Sequence, residues 1–208
     1  MSHQESPDTR AARTRTLLHA ALLDLVNEKP YVEVSVTDIA KKAGINRVTF
    51  YSHYSSKDEL IEEIVEEKFN EYFAIVEYIK PLKEMERLMA ALEIYFRKSL
   101  YHIRRNMKFY RLLLSGALPE YKDRFEGQLH VRLKQILRKA EINGGVKSPV
   151  DFDFYVEWTI GGSIHIIRKW LAGEMSTSQE QFMEQMLLIS AVSSKLFGTS
   201  GYGPPTPR

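Results

Sequence analysis

The chain has 208 residues, with 29 Lys or Arg against 27 Asp or Glu, so its formal net charge is +2. Hydrophobic residues make up 44 %, an ordinary fraction for a folded globular protein. The sequence contains no cysteine, which excludes disulfides, thiolate metal sites and cysteine nucleophiles, and which fits a reducing cytoplasm. The charge excess is too small to indicate nucleic-acid binding, so that argument depends on where the charges lie.

No segment indicates secretion or membrane insertion. Residues 1–16 are polar and charged and lack the apolar core of a signal peptide. No apolar run approaches the length that crosses a bilayer. We therefore expect a cytoplasmic protein without a membrane partner.

The first helix is predicted over residues 10–27, after a disordered arm over residues 1–9. Its apolar residues recur at helical spacing: Leu17, Leu18, Ala21, Leu22 and Leu25. Pro30 ends it, because proline disfavours helical geometry in the preceding residue. Arg10, Arg13 and Arg15 are either a solvated helix start or contacts to phosphates or the minor groove.

Residues 35–57, SVTDIAKKAGINRVTFYSHYSSK, predict two short helices joined by a tight turn. Ser35 and Asp38 form a predicted capping box at the start of the first. Gly44 supplies the left-handed residue that ends it, and Asn46 can cap the second. A further capping box is predicted for Ser56 with Glu59, at the start of the helix that follows.

The same stretch separates into an inner and an outer set of side chains. Ala40 is small enough for a steep helix crossing, and the predicted interior comprises Ile39, Ala43, Ile45 and Phe50. The predicted outer face comprises Arg47, Thr49, Tyr51 and Ser52. A plain helical corner would share some of these features. Their combination favours a helix-turn-helix, whose second helix enters the major groove of DNA.

Residues 13–60 resemble the N-terminal domain of the TetR family of bacterial transcriptional regulators. The matching segments are Arg13-Thr14-Arg15, Leu17, Leu18, Ala20, Ala21, Val36-Thr37-Asp38-Ile39-Ala40, Ala43-Gly44-Ile45, Thr49-Phe50-Tyr51-Ser52-His53-Tyr54 and Ser56-Lys57-Asp58-Glu59-Leu60. Three residues depart from the family's usual pattern. Asn46 stands where the family usually has Ser, Val48 where it has Gly or Ala, and Ser55 where it has Pro. These departures bear on which operator is read.

The remaining sequence also predicts helices, over residues 57–79, 82–103, 106–114, 119–140, 150–171 and 178–197. A loop is predicted around residues 143–149, and residues 198–208 are predicted to be a disordered tail. The predicted fold class is all-α. A three-helix helix-turn-helix DNA-binding domain (10–56) precedes a helical ligand-binding and dimerisation domain (57–197).

Residues 186–192, MLLISAV, are apolar almost all the way round, so their helix needs cover on two sides. Gly161-Gly162-Ser163 in the preceding helix leave room for the close approach of another helix. A larger monomeric core would explain both features, but we favour a homodimer. The TetR resemblance independently implies dimerisation through the last two helices.

The resemblance also implies an unidentified small-molecule effector in the second domain. The sequence offers polar and aromatic candidates for its pocket: His102, Phe109, Phe125, Trp158 and His165. No cofactor is predicted, because no glycine-rich phosphate loop is present. No metal site is predicted either, although Asp123, Glu126 and His130 share a helix face.

We therefore expect a TetR-type repressor, not an enzyme, that binds a palindromic operator as a homodimer and is released by a small molecule. The predicted DNA contacts are Thr37, Asn46, Arg47, Val48, Thr49, Tyr51, Ser52, His53 and Lys57. Arg47 suits guanine, Val48 a thymine methyl group, and Thr37, Tyr51, His53 and Lys57 phosphates. The alternatives are a DNA-binding co-activator controlled by a protein partner, a helical enzyme and a helical adaptor.

Overall fold

The computed structural model describes residues 7–77, 85–144 and 150–195. Regular structure in these ranges is entirely helical, which confirms the predicted all-α class. The helices are α1 (Pro7–Glu28), a short 3₁₀ helix (Tyr31–Glu33), α2 (Val36–Ala43), α3 (Arg47–Tyr51), α4 (Lys57–Glu77), α5 (Met85–Arg105), α6 (Met107–Leu114), α7 (Pro119–Gly144), α8 (Phe152–Leu171) and α9 (Gln179–Lys195). None of these helices is both long and apolar enough to cross a lipid bilayer.

Two helices extend at least three residues beyond the predicted ends. The first helix begins at Pro7, within the predicted disordered arm, because proline is well tolerated in a first helical turn. Helix α7 continues to Gly144, inside the predicted loop. Residues 1–6 of the predicted arm and the predicted tail, 198–208, lie outside the described residues.

The chain divides into two compact units, and α4 contributes to both. Among the described residues, the first unit contains those up to Asn70 together with 108–119, and the second contains those within 71–107 and from Glu120 onward. This division does not coincide with the predicted boundary after Ser56. The reason is that the first half of α4 buries Leu60 and Ile64 completely in the core of the first unit.

The start of α2 is fixed by the predicted capping box. The Oγ of Ser35 accepts a hydrogen bond from the backbone N–H of Asp38 at 3.1 Å. The Asp38 carboxylate accepts one from the Ser35 N–H at 3.0 Å and another from Lys29 Nζ at 2.9 Å. These contacts satisfy donors that a helix start leaves without partners, and they fix where α2 begins.

The end of α2 is fixed by Gly44, whose φ of 69° is left-handed. Its N–H donates to the Lys41 carbonyl at 3.2 Å, and the Ile45 N–H donates to the Ala40 carbonyl at 3.0 Å. This pair of hydrogen bonds is the Schellman arrangement, which glycine adopts without a steric penalty. The chain therefore leaves α2 in one defined direction.

The capping box predicted at the start of α4 forms with a different partner. The Glu59 N–H donates to Ser56 Oγ at 3.1 Å, as predicted. The Glu59 carboxylate, however, accepts from both the N–H and the Oγ of Ser55, each at 2.6 Å. Ser55 therefore closes the box in place of Ser56, one residue earlier.

The second unit has an aromatic core that joins the end of α4 to α5 and α7. The Phe125 ring lies 4.9 Å from the Tyr72 ring and 5.6 Å from the Phe73 ring, measured between centroids. The hydroxyl oxygens of Tyr72 and Tyr95 are 3.0 Å apart in this buried environment. The α5 helix also packs against α9.

The capping box predicts a pH dependence of stability. Hydrogen bonds from Lys29 and from the backbone and side chain of Ser35 hold the pKa of Asp38 well below its ordinary value. A carboxyl group whose pKa is lowered by folding stabilises the protein above its unfolded pKa, about 4, and this contribution is lost as the pH falls towards the folded pKa. We expect the free energy of unfolding to decline below about pH 4.

The free energy of unfolding, measured in urea from neutral to acidic pH, should decline less steeply for the Asp38→Asn variant than for the wild type. Glu184→Gln, which removes an exposed carboxylate from α9, should follow the wild type and is the control. Parallel curves for Asp38→Asn and the wild type would contradict the assignment.

Candidate nucleic-acid interface

The orientation of α3 follows from one buried residue and one cap. The Phe50 side chain is completely buried, so the opposite side of this short helix faces outward. The Asn46 side-chain oxygen accepts a hydrogen bond from the Val48 N–H at 2.9 Å, which caps α3 as predicted. Ile39 of α2 is also fully buried, whereas Ala43 and Ile45 of the predicted interior are only partly covered.

Arg47, Val48 and Tyr51 form the outward surface of α3. The Val48 side chain is 74 % exposed and that of Tyr51 is 47 % exposed. The Arg47 guanidinium donates to the Tyr51 hydroxyl at 3.0 Å and lies 5.3 Å from the centroid of its ring. This surface offers a cationic donor, a methyl-bearing side chain and a hydroxyl group, which can recognise base edges and phosphates.

The other predicted contacts differ in how much of each side chain is exposed to solvent. Thr37 on α2 and Ser52 after α3 are exposed, whereas Thr49 and His53 are partly buried. The Ser52 hydroxyl donates to the Thr49 carbonyl at 2.8 Å, although its oxygen can still accept a hydrogen bond.

Lys57 was predicted to bind a phosphate, but its ammonium group already has partners inside the first unit. Its Nζ donates to the carbonyl oxygens of Tyr31, Val34 and Val32 at 2.8, 2.9 and 3.3 Å. It also lies 4.5 Å from the centroid of the Tyr31 ring. These contacts tie the 3₁₀ helix to the start of α4, and we propose a positioning role for Lys57.

Two further lysines, outside the predicted set of DNA contacts, lie at the end of α2. Lys41 is exposed, and Lys42 is also exposed, with its ammonium 2.6 Å from a Glu28 carboxylate oxygen. The signal that could have found them is their place in the last turn of the first motif helix. Together with Arg10 and Arg15, both exposed on α1, they add positive charge to the unit that carries α3.

The last two helices of the second unit share an exposed apolar face. Its large side chains are each more than half exposed: Phe154 and Trp158 on α8, and Leu188, Ile189 and Val192 on α9. Gly161 and Gly162 are exposed near these residues on α8, and no atom lies within 4 Å of where a Cβ would be placed at either. We call these seven residues the α8–α9 face. Large exposed apolar patches of this kind commonly mark interaction sites.

Two family models match the chain over most of its length. The model described as bacterial regulatory proteins of the tetR family matches residues 17–64, which contain the corner and α3. The model described as a transcriptional regulator C-terminal region matches residues 91–190. The chain belongs to the TetR family. It is a DNA-binding transcription regulator and not an enzyme.

Known relatives agree with this membership. The uncharacterized HTH-type transcriptional regulator YxbF of Bacillus subtilis is 35 % identical over 94 residues, which cover 41 % of this chain and 24 % of that protein. The chain thus matches only about a quarter of that relative's length. The nucleoid occlusion factor SlmA of Aliivibrio fischeri is 21 % identical over 187 residues, which cover 86 % of this chain and 94 % of that protein.

A solved structure shows the same fold. A TetR-family transcriptional regulator from Syntrophomonas wolfei superposes with a TM-score of 0.70 at 18 % identity, and the match covers 87 % of this chain and 94 % of that one. At this identity the likeness concerns the fold alone.

The residues predicted to line an effector pocket of this TetR-family protein belong to both compact units. Phe109 belongs to the first unit, where its ring lies 6.5 Å from that of Phe69. His102 and Phe125 both pack beside Tyr72 in the second unit. Trp158 lies on the α8–α9 face, and His165 is exposed on α8. Helical spacing indicated the sides of helices but not which sides share a cavity.

Two of the side chains considered for a metal site, Glu126 and His130, lie beside charged residues outside that set. The Glu126 carboxylate lies 2.9 Å from Lys122 Nζ, and His130 Nε2 lies 3.0 Å from a carboxylate oxygen of Glu157. Within the described ranges no group of His, Asp and Glu side chains has the arrangement of a metal site.

The contacts of Lys57 predict that it stabilises the DNA-binding unit. Replacement by Met keeps the apolar stem but leaves three carbonyl oxygens without their charged donor. We expect Lys57→Met to lower the free energy of unfolding by about 1–3 kcal/mol in urea unfolding. Lys41→Met, which removes an exposed lysine, should change it by less than about 0.5 kcal/mol.

Salt dependence separates positioning from phosphate binding by Lys57. A direct phosphate contact would reduce the slope of log affinity against log salt by about 0.9 when it is removed. We expect Lys57→Met to keep the wild-type slope at a temperature where it is fully folded. A reduced slope with unchanged stability would reverse the assignment.

Proposed function

We propose that this TetR-family regulator is a repressor that binds a palindromic operator as a homodimer and is released by a small molecule. The observation that carries the proposal is the exposed Arg47–Val48–Tyr51 surface of α3, held outward by the buried Phe50. A helix presented in this way fits the major groove of DNA.

The proposed DNA contacts divide by chemistry. Arg47 can present two N–H groups to the N7 and O6 atoms of guanine once it leaves the Tyr51 hydroxyl, and Val48 can contact a thymine methyl group. Thr37, Tyr51, His53, Lys41 and Lys42 are proposed phosphate contacts. Asn46, Thr49 and Ser52 complete the surface of α3, while Lys57 ties the 3₁₀ helix to the start of α4.

The proposed dimer covers the α8–α9 face with the same face of a second copy. A two-fold arrangement buries the apolar side chains of both copies, and the exposed glycines allow the helices to approach closely. Two reading helices related by a two-fold axis match a palindrome whose half-sites lie one helical turn apart.

Release from the operator is proposed to be a population shift. The ligand is proposed to bind more tightly to the dimer state in which the two α3 helices are wrongly spaced for the operator. The difference between its affinities for the two states sets how far it can lower operator affinity. The α4 helix contributes residues to both compact units, so it is the element proposed to transmit the change. A ligand that binds without changing operator affinity would refute this part of the proposal.

The role of Arg47 is tested by selecting bound DNA from a random duplex pool at two salt concentrations. We expect the wild type to select a palindrome that survives the higher salt. Arg47→Ala should lose about 1–3 kcal/mol of discrimination at one position of each half-site. The Lys42 ammonium pairs with Glu28. Lys42→Ala should therefore weaken binding less than Arg47→Ala does, and by a similar amount for every DNA sequence.

Other outcomes of the selection point to other functions. Equal weakening on all sequences by Arg47→Ala would remove its base-reading role. Weak binding without a motif, lost at the higher salt, would favour a helical adaptor. Operator release by a protein fraction but not by metabolites would favour the partner-controlled co-activator.

The α8–α9 face predicts a specific sensitivity to charge. Leu188→Glu should weaken dimerisation about 100-fold or more in sedimentation equilibrium, because symmetry would bury two unpaired carboxylates. Val131→Glu, at a similarly exposed apolar position on α7, is the matched control and should remain dimeric. Dimers of normal stability in both variants would exclude this face as the interface.

A further inference from the structure

A groove lies among α5, α8 and α9 in the second unit, with a volume of about 230 Å³. Its apolar walls include Phe96, Trp158, Met186 and Ile189. It is larger than the roughly 150 Å³ engineered cavity that binds benzene in another protein. It can therefore hold a molecule of one or two aromatic rings.

The lining of the groove restricts the charge of such a molecule. Among the described residues that line it, none is Asp, Glu, Lys, Arg or His. A charged ligand would lose its hydration there without gaining an ion pair, which is strongly unfavourable. The groove therefore suits an uncharged molecule.

The polar groups of the lining are hydroxyl groups, and they belong to Tyr155, Thr159, Ser163 and Ser190. Ser190 is only 7 % exposed and lies on the α9 side of the groove. The Thr159 oxygen on α8 is shielded from solvent and has the Tyr155 hydroxyl as a polar neighbour. A few polar groups on an apolar wall are typical of sites that orient a small ligand.

We propose that this groove binds the effector, and that the effector is an uncharged compound of one or two aromatic rings carrying a hydroxyl or carbonyl group. The inference rests on the proposed ligand-responsive function and names its ligand class and its site. Trp158 and Ile189 belong both to the groove and to the α8–α9 face. A second copy on that face closes the open side, so ligand binding and dimer geometry are coupled.

The test compares two probes of the same ring system by calorimetry on the full chain. 1-Naphthylmethanol is uncharged and carries one hydroxyl group, whereas 1-naphthoate carries a carboxylate. We expect the alcohol to bind at least tenfold more tightly than the carboxylate at neutral pH. Equal affinities, or tighter binding of the carboxylate, would overturn the proposal.

Substitutions then locate the bound probe. Gly162→Leu places a side chain in the groove and should weaken binding of the alcohol at least tenfold. Gly127→Leu adds the same side chain at an exposed helical glycine of α7 and should bind as the wild type does. Equal losses in both variants, or none in Gly162→Leu, would overturn the site.

A smaller change guards against misfolding or altered dimerisation in Gly162→Leu. Ser190→Ala adds no volume and removes one hydroxyl anchor, so it should weaken binding of the alcohol about fivefold while circular dichroism and dimerisation stay unchanged. Unchanged affinity in Ser190→Ala would remove the anchor from the proposal.

Failure of this inference is distinguishable from failure of the proposed function. If the alcohol does not bind the wild-type dimer, the site is overturned, while operator selection still reports on DNA binding. If the alcohol binds and lowers operator affinity, both the site and its role in regulation are supported.

Discussion

The direction in which the chain leaves α2 determines most of what the first unit can do. Gly44 turns the backbone through a left-handed conformation, and the hydrogen bonds of Gly44 and Ile45 hold the turn. Phe50 is then completely buried, which leaves Arg47 and Val48 on the open side of α3. A side chain larger than hydrogen at residue 44 would strain this backbone and misdirect the reading surface.

The polar contacts behind α3 stabilise the scaffold more than they extend the DNA-binding surface. Lys57 donates to the carbonyl oxygens of the 3₁₀ helix, and the Tyr31 hydroxyl donates to Asp58 at 2.6 Å. Both contacts hold the segment before α2 against the start of α4. A lysine in a motif that resembles a DNA-binding family is therefore not automatically a phosphate ligand, because the fold can use its hydrogen-bond donors first.

The second unit combines two kinds of surface in one small region. The α8–α9 face is apolar and exposed, and the neighbouring groove has an apolar lining with buried hydroxyl groups. Trp158 and Ile189 belong to both, so whatever covers the face also encloses the groove. This shared use of residues is the physical basis of the proposed coupling between ligand binding and dimerisation.

The sequence by itself determined the features that depend on neighbours within one helical turn. The Ser35–Asp38 box, the Asn46 cap and the Gly44 turn were predictable because their partners lie two to five residues away. Apolar spacing likewise predicted the order of the helices and their ends to within a few residues.

The tertiary structure decided which distant groups meet. Lys57 donates to carbonyl oxygens more than 20 residues earlier in the chain, and Phe109 packs beside Phe69 in the first unit. No local pattern encodes such meetings, because helical spacing specifies a side of a helix but not the element that packs against it. The groove could not be predicted for the same reason, because its walls come from α5, α8 and α9 and meet only when the chain folds.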